Sequence, residues 1–415
     1  MSETERSTQQ PGFGEFVALM AMMTALVALS IDTMLPALPQ IGEELGVERE
    51  NSTQMVISLI FVGLAAGQML FGPLSDSIGR KPAIYAGYFL FAIGCLLSFF
   101  AMNFQVMLMG RLIQGFGIAG PRSVTIALIR DRYEGRAMAQ VMSFIMTVFI
   151  LVPVIAPSFG QAVLLVAGWR AIFVSFLLMA LITGIWFALR QPETLPHERR
   201  MPFSLRRIGA AVNEVLHTRI ALGYTIAAGL LSGAFLGYLN SAQQIFQIQY
   251  GLGTRFPIYF AVLSLAFGAA SLLNSRLVMR YGMRTMSNLA AQTLTGIGLL
   301  FFVFAWTMSG NPELWMLMLY FLATFFCVGI LFGNLNSLAM EPLGHIAGVG
   351  AAVVASLSLI LATALGIFIG QAYDGTILPL VAGFTILGLL GVGVMRWTQQ
   401  GSPDVGSYED NVTPA

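Results

Sequence analysis

Asp32 is the one carboxylate in this chain that stands clearly inside a long apolar run. A charge near the centre of a bilayer costs about 2.5–3.5 kcal/mol on insertion scales, so such residues line cavities or proton paths. At ~1.5 Å of rise per residue, Asp32 lies about two turns short of the outer end of its run. Arg111 enters the fourth apolar run from the same side at comparable depth, with Gln114 one turn below it. The chemistry expected of such a pair is proton carriage. Asp32 is charged when solvated or paired with Arg111, and neutral when a substrate or a dry conformation displaces that partner. Burial favours the neutral acid and a nearby cation favours the charged one. The alternative is that Asp32 caps the outer end of its helix near Pro36.

A second polar cluster, Gly72-Pro-Leu-Ser-Asp-Ser-Ile-Gly-Arg-Lys-Pro82, holds Lys81, the only lysine of the chain. It reads as a short turn between two spans. Gly72 and Gly79 permit close approach and left-handed backbone. Asp76 suits a helix N-terminus, where the partial charge is positive. Arg80 and Lys81 are placed to reach Asp131 at the end of the fourth span. Such a network closes one side of the protein and must break for it to open. The competing reading makes Arg80 and Lys81 simple positive anchors, which accounts for their charge and leaves Asp76 unexplained.

The elements that position these residues are membrane helices. Hydrophobic residues make up 57% of the 415, charged residues only 10%, and the mean hydropathy is +0.78. A soluble domain carries roughly 25% charge. The net charge of +1 argues against a nucleic-acid partner. Cys95 and Cys327 lie in apolar runs without a neighbouring His or acid, so neither a metal site nor a disulfide is expected. Met1–Gln10 is polar and the next run is long enough to span, so no cleavable signal peptide is expected.

Twelve spans are predicted near 14–38, 53–72, 82–102, 104–129, 137–164, 169–190, 218–241, 256–275, 285–308, 313–338, 346–371 and 376–397. The domains follow: an N-terminal six-helix half over 1–190, a linker over 191–217, a C-terminal half over 218–397 and a disordered tail over 398–415. One set of alternating loops carries nearly all the arginines, while the other holds only Arg49, Arg170 and Arg255. The positive-inside rule then puts both termini and the linker in the cytoplasm. Leu277-Val-Met-Arg-Tyr-Gly-Met-Arg284 echoes Leu74-Ser-Asp-Ser-Ile-Gly-Arg-Lys81, pairing Gly282 with Gly79 and Arg284 with Lys81. Met279 stands where Asp76 would. A repeated six-helix unit is the signature of transporters that rock two halves about a midplane site.

On these residues the chain resembles the major facilitator superfamily. The 72–82 segment is similar to its cytoplasmic signature, and Arg111-Leu-Ile-Gln-Gly-Phe-Gly117 to the fourth-helix motif of its drug:proton antiporters. Val152-Pro-Val-Ile-Ala-Pro-Ser-Phe-Gly160 and Ile31-Asp-Thr-Met-Leu-Pro-Ala-Leu-Pro39 resemble the bicyclomycin/chloramphenicol-resistance type. The chain departs from that pattern at Gln161, where a second glycine is common, and at Gly120-Pro-Arg122, which puts a proline and an arginine into the fourth helix. The resemblance implies an all-α integral membrane protein of twelve helices in two halves. It also implies that the Pro153, Pro157 and Gly160 segment helps prevent leak. By themselves the two prolines show a bent helix, and Gly115, Gly117 and Gly120 show close helix packing.

The architecture implies a substrate site among helices 1, 4, 7 and 10. Asp32, Gln114, Tyr238, Asn240, Gln244, Asn334 and Asn336 are the candidates there, among 23 Met and 31 Phe. One acid and few fixed polar groups suit lipophilic neutral or cationic compounds. His197, His217 and His345 lie near the cytoplasmic surface, so a His relay inside the membrane is not expected; His345 stands near Glu341. The expected protein is a monomeric, proton-coupled drug exporter of a bacterial inner membrane, acting on small molecules and protons within the lipid bilayer and needing no cofactor. A metabolite importer or uniporter shares this fold. A membrane enzyme requires a catalytic cluster, and none is visible. Asn51-Ser-Thr53 forms a glycosylation sequon in an external loop.

Overall fold

The computed structural model describes residues 11–400. Met1–Gln10 and most of the tail expected over 398–415 lie outside the described residues. Eleven stretches are long and apolar enough to cross a membrane, and one of them, Leu314–Gln371, holds two helices joined by the 3-10 turn Glu341–Ile346. The spanning helices are α1 (Phe13–Asp32), α2 (Met55–Ile78), α3 (Arg80–Phe99), α4 (Phe104–Arg132), α5 (Gly135–Ala167) and α6 (Arg170–Arg190). The second set is α7 (Arg219–Leu239), α8 (Phe256–Tyr281), α9 (Met283–Thr307), α10 (Leu314–Met340), α11 (Ala347–Gln371) and α12 (Leu378–Gln399). The chain is an all-helical, multi-pass membrane protein.

Two boundaries differ from the sequence expectation, each for a physical reason. The polar stretch after residue 72 is not an open loop. Helix α2 continues through Asp76 to Ile78, α3 begins at Arg80, and Gly79 alone makes the turn at φ +106°. Gly282, at φ +78°, makes the same one-residue turn between α8 and α9. Both values lie where only glycine sits without strain. Helix α1 stops at Asp32, and the chain goes on through the short helices Leu35–Ala37 and Leu38–Glu44, whose prolines interrupt the ladder of hydrogen bonds. Asp32 therefore sits at a break in the first span.

Close packing of small residues builds the N-terminal half. A Cβ at Gly63 or Gly115 would run into backbone carbonyls across the α2–α4 contact, and one at Gly94 or Gly117 into backbone across α3–α4. In lipid, where no hydrophobic force joins helices, this contact supplies the packing energy. Across the halves α2 lies against α11 and α5 against α8. The linker is not featureless: Ser204 accepts a hydrogen bond from Arg207 N at 3.3 Å and starts the amphipathic helix Leu205–His217. That helix buries Ile208, Ala211 and Val215 and packs on α11.

Candidate functional site

A cavity of about 200 Å³ lies between the halves, with walls from α1, α2, α4, α5, α7, α8, α10 and α11. It is larger than the ~150 Å³ cavity known to take up a benzene ring. Its lining is mostly apolar, with seven phenylalanines: Phe61, Phe149, Phe235, Phe260, Phe267, Phe325 and Phe332. Phe235 stacks on Phe267 with ring centres 6.0 Å apart, and Tyr238 behind them packs edge-on to Phe325 at 4.7 Å. Asp32 and Arg122 are the only charged residues on the wall.

Asp32 is only 5% exposed, and its carboxylate has no hydrogen-bond or ionic partner among the described residues. The expected pair with Arg111 does not form. Arg111 is fully buried and donates instead to the Val56 carbonyl at 2.9 Å, the Ser30 carbonyl at 2.8 Å and Gln114 Oε1 at 2.6 Å. The reason is angular. Ser30 and Asp32 are two residues apart, hence ~200° apart around α1, so matching depth does not bring the acid to the base. Helix α1 ends here, and Arg111 takes up one of the carbonyls left at its end. A Cβ at Gly160 would run into the Thr33 carbonyl, so the glycine of α5 holds this break closely from the other side. Pro153 lines the cavity; Pro157 is buried in α5.

Of the polar residues expected around the substrate, Asp32 and Asn336 reach the cavity wall. The structure takes the others elsewhere. Gln114 faces α3, donating to Cys95 Sγ at 3.1 Å. Asn334 pairs with Asn274 of α8 at 2.8 Å. Tyr238 is fully buried in the aromatic cluster, its hydroxyl without a partner. Asn240 and Gln244 belong to a polar layer that joins the halves at the arginine-poor end. There Ser58 donates to Asn240 Oδ1 at 3.0 Å, Gln54 to Gln243 Oε1 at 3.1 Å and Gln244 to Asn51 Oδ1 at 2.6 Å. The Asn51 amide nitrogen donates to the carbonyls of Gln371 and Tyr373 at 3.1 and 2.8 Å, so the sequon asparagine is engaged in this contact. Gln68 and Arg122 are wall residues with strong donors that the sequence reading did not assign to the site. An arginine in mid-span is as informative as Asp32, whereas nothing about Gln68 distinguishes it in the sequence.

The basic cluster sits at the opposite end. Arg80 donates to Asp131 Oδ2 at 2.9 Å and to Asp76 Oδ1 at 2.6 Å, joining the ends of α2, α3 and α4. Lys81 does not reach Asp131; its ammonium donates to the Ala188 carbonyl at 3.1 Å and lies over Phe187. Nor does Asp76 sit on a helix N-terminus. That place is taken by Glu193 of the linker, which accepts from the backbone N–H groups of Arg80 and Lys81, each at 3.0 Å. The second half repeats the base-to-acid contact: Arg284 donates to Glu341 at 3.0 Å. Gly72 meets Ala352 of α11, where a Cβ would stand 3.8 Å away. His345 contacts Glu214 of the linker helix at 2.6 Å on the surface. No cluster of metal-binding side chains occurs among the described residues.

Residues 20–367 match the Major Facilitator Superfamily. The chain is 30% identical to a bicyclomycin resistance protein homolog of Haemophilus influenzae over 70% of its length and 74% of that protein. It is 27% identical to a chloramphenicol resistance protein of Pseudomonas aeruginosa over 94% of this chain and 93% of the relative. Among solved structures it is similar to the xylose transporter XylE from E. coli in a partially occluded inward-open conformation. The TM-score is 0.71 at 13% identity, over 95% of this chain and 98% of that one, a likeness of fold alone. A repeated six-helix plan, a cavity between the halves and a match over most of the length agree: the chain belongs to the Major Facilitator Superfamily and is a transporter, not an enzyme.

Proposed function

We propose that the protein is a proton-coupled antiporter exporting lipophilic neutral or cationic compounds by alternating access. It does so from the inner membrane of a bacterium, with both termini and the 191–217 linker in the cytoplasm. The observation that carries the reading is Asp32, the only acid on the wall of a phenylalanine-lined cavity and without a partner there. An unpaired carboxyl in such a place takes up a proton or meets a cationic ligand, and the two compete. The drug-resistance names of the relatives support the substrate class.

Orientation rests on the arginine bias. The polar layer of Asn51, Gln54 and Ser58 against Gln244, Gln243 and Asn240 is then the closed external gate. The cluster of Asp76, Arg80, Lys81 and Asp131 with Gly72 and Gly79 acts as the cytoplasmic latch, which Glu193 reinforces from the linker.

The test is substrate-induced proton release in inverted membrane vesicles across a panel of lipophilic compounds. Wild type is expected to release protons and Asp32→Asn to release none. Undiminished release in the variant removes Asp32 from the role, and transport that continues without a pH gradient favours a facilitated metabolite carrier.

A further inference from the structure

Arg122 is a charge without a partner among the described residues. It projects from the middle of α4 into the cavity, and no carboxylate or carbonyl among the described residues accepts from it. An arginine keeps its charge under all working conditions. Arg122 is half-buried on this wall, and a cation drawn out of water without compensation is costly, so a side chain held this way marks a place where an anion spends part of the cycle. Asp32 does not fill that place. Arg122 lies ten residues from the arginine-rich end of α4 and Asp32 nineteen from that end of α1, a difference in depth on the order of 10 Å by helix rise.

A second donor faces the same level. Gln68, 6% exposed, lies on the cavity wall with its amide nitrogen unpartnered. It is ten residues from the end of α2, as Arg122 is from the end of α4. The two helices are locked together here: Gly67 packs on Ala119, and Phe71 lies against Gly120. The guanidinium carries a fork of N–H groups that a carboxylate accepts in bidentate fashion, and the unpartnered Gln68 amide adds a donor at the same level. Beyond this level the wall is aromatic.

We propose that Arg122 and Gln68 form a carboxylate subsite of the central cavity, so that the protein binds organic monocarboxylates whose aromatic or aliphatic body lies among Phe235, Phe260 and Phe325. This inference rests on the central cavity being the transport site, and it widens the substrate class beyond neutral and cationic compounds. With Asp32 neutral, the wall carries only the charge of Arg122. An anion and a proton on Asp32 therefore strengthen each other's binding, the reverse of what a cation does.

The test is equilibrium binding of 4-phenylbutyrate and of its uncharged amide to the full chain in lipid nanodiscs, with no pH gradient imposed. Wild type is expected to prefer the carboxylate at least ten-fold. Arg122→Gln is expected to lower the carboxylate-to-amide affinity ratio by ten-fold or more, Arg122→Lys and Gln68→Leu to lower it part-way, and Asp32→Asn to raise it. Wild-type protein with no preference for the carboxylate overturns the subsite without recourse to any variant, as does an unchanged ratio in Arg122→Gln. Failure of the proton-coupled export reading shows separately, as absence of gradient-driven transport of neutral compounds whatever stands at position 122.

Discussion

At the residue scale, three charges in the membrane do three different things, and their partners distinguish them. Arg111 has all its hydrogen bonds inside the protein, to carbonyls of α1 and α2 and to Gln114. It is a tie between helices. Arg111→Lys keeps the charge and loses the planar fork, leaving buried acceptors unsatisfied at about 1–3 kcal/mol each. The expected outcome is a lower thermal midpoint of the purified protein, together with weaker transport; an unchanged midpoint argues against the tie. Asp32 and Arg122, by contrast, face the cavity without protein partners, and their substitution is expected to alter ligand and proton handling more than folding. The depth of Asp32 and Arg111, and the arginine at 122, are legible in consecutive residues. Depth follows from counting residues, but the direction of a side chain around its helix depends on how neighbouring helices are rotated, and only the packed structure sets that.

At the element scale, the break after Asp32 and the packing of α5 against it define the site. The sequence reading runs the first span through to residue 38 and does not foresee the break, whereas the Pro153–Gly160 segment reads in sequence as a bent helix. That Gly160 meets the Thr33 carbonyl is visible only in three dimensions. Gly160→Ala puts a methyl against backbone that cannot swing aside, and overpacking of this kind costs about 1–3 kcal/mol. The variant is expected to lose folded yield or proton coupling, measured by size-exclusion profile and by proton release; normal values in both exclude a role for this contact. The 72–82 segment teaches the same lesson. Its composition announces a turn with charge, while its partners, Glu193 from over a hundred residues away and Ala188 at the end of α6, come from tertiary contact.

At the scale of the whole molecule, the halves touch through hydrogen bonds at the arginine-poor end, where Asn51, Gln54 and Ser58 meet Gln244, Gln243 and Asn240. Cysteines at Ser58 and Asn240, whose side-chain oxygens are 3.0 Å apart, are expected to cross-link and hold that end shut. Oxidised Ser58→Cys/Asn240→Cys protein is then expected to stop transporting, with at least ten-fold recovery on reduction in a vesicle transport assay. Full activity of the cross-linked protein overturns the gate. Asn240 and Gln244 of this layer look in sequence like part of a substrate site. The layer's polar groups lie near the ends of α2 and α7, and whether they face a ligand or one another depends on the state in which the halves are packed.

Sequence alone determined that this chain spans a membrane with a repeated set of helices, because hydropathy and glycine-centred turns are local properties written in consecutive residues. It also determined that Asp32 is costly where it stands, since the cost depends on depth. Tertiary structure decided which charges are partnered. It gave Arg111 to the backbone and Gln114, left Asp32 and Arg122 facing one cavity, and placed Asn240 and Gln244 in the polar layer that joins the halves. Rotation of helices about their axes and the meeting of residues hundreds apart are collective outcomes of packing, and no local stretch of sequence encodes them.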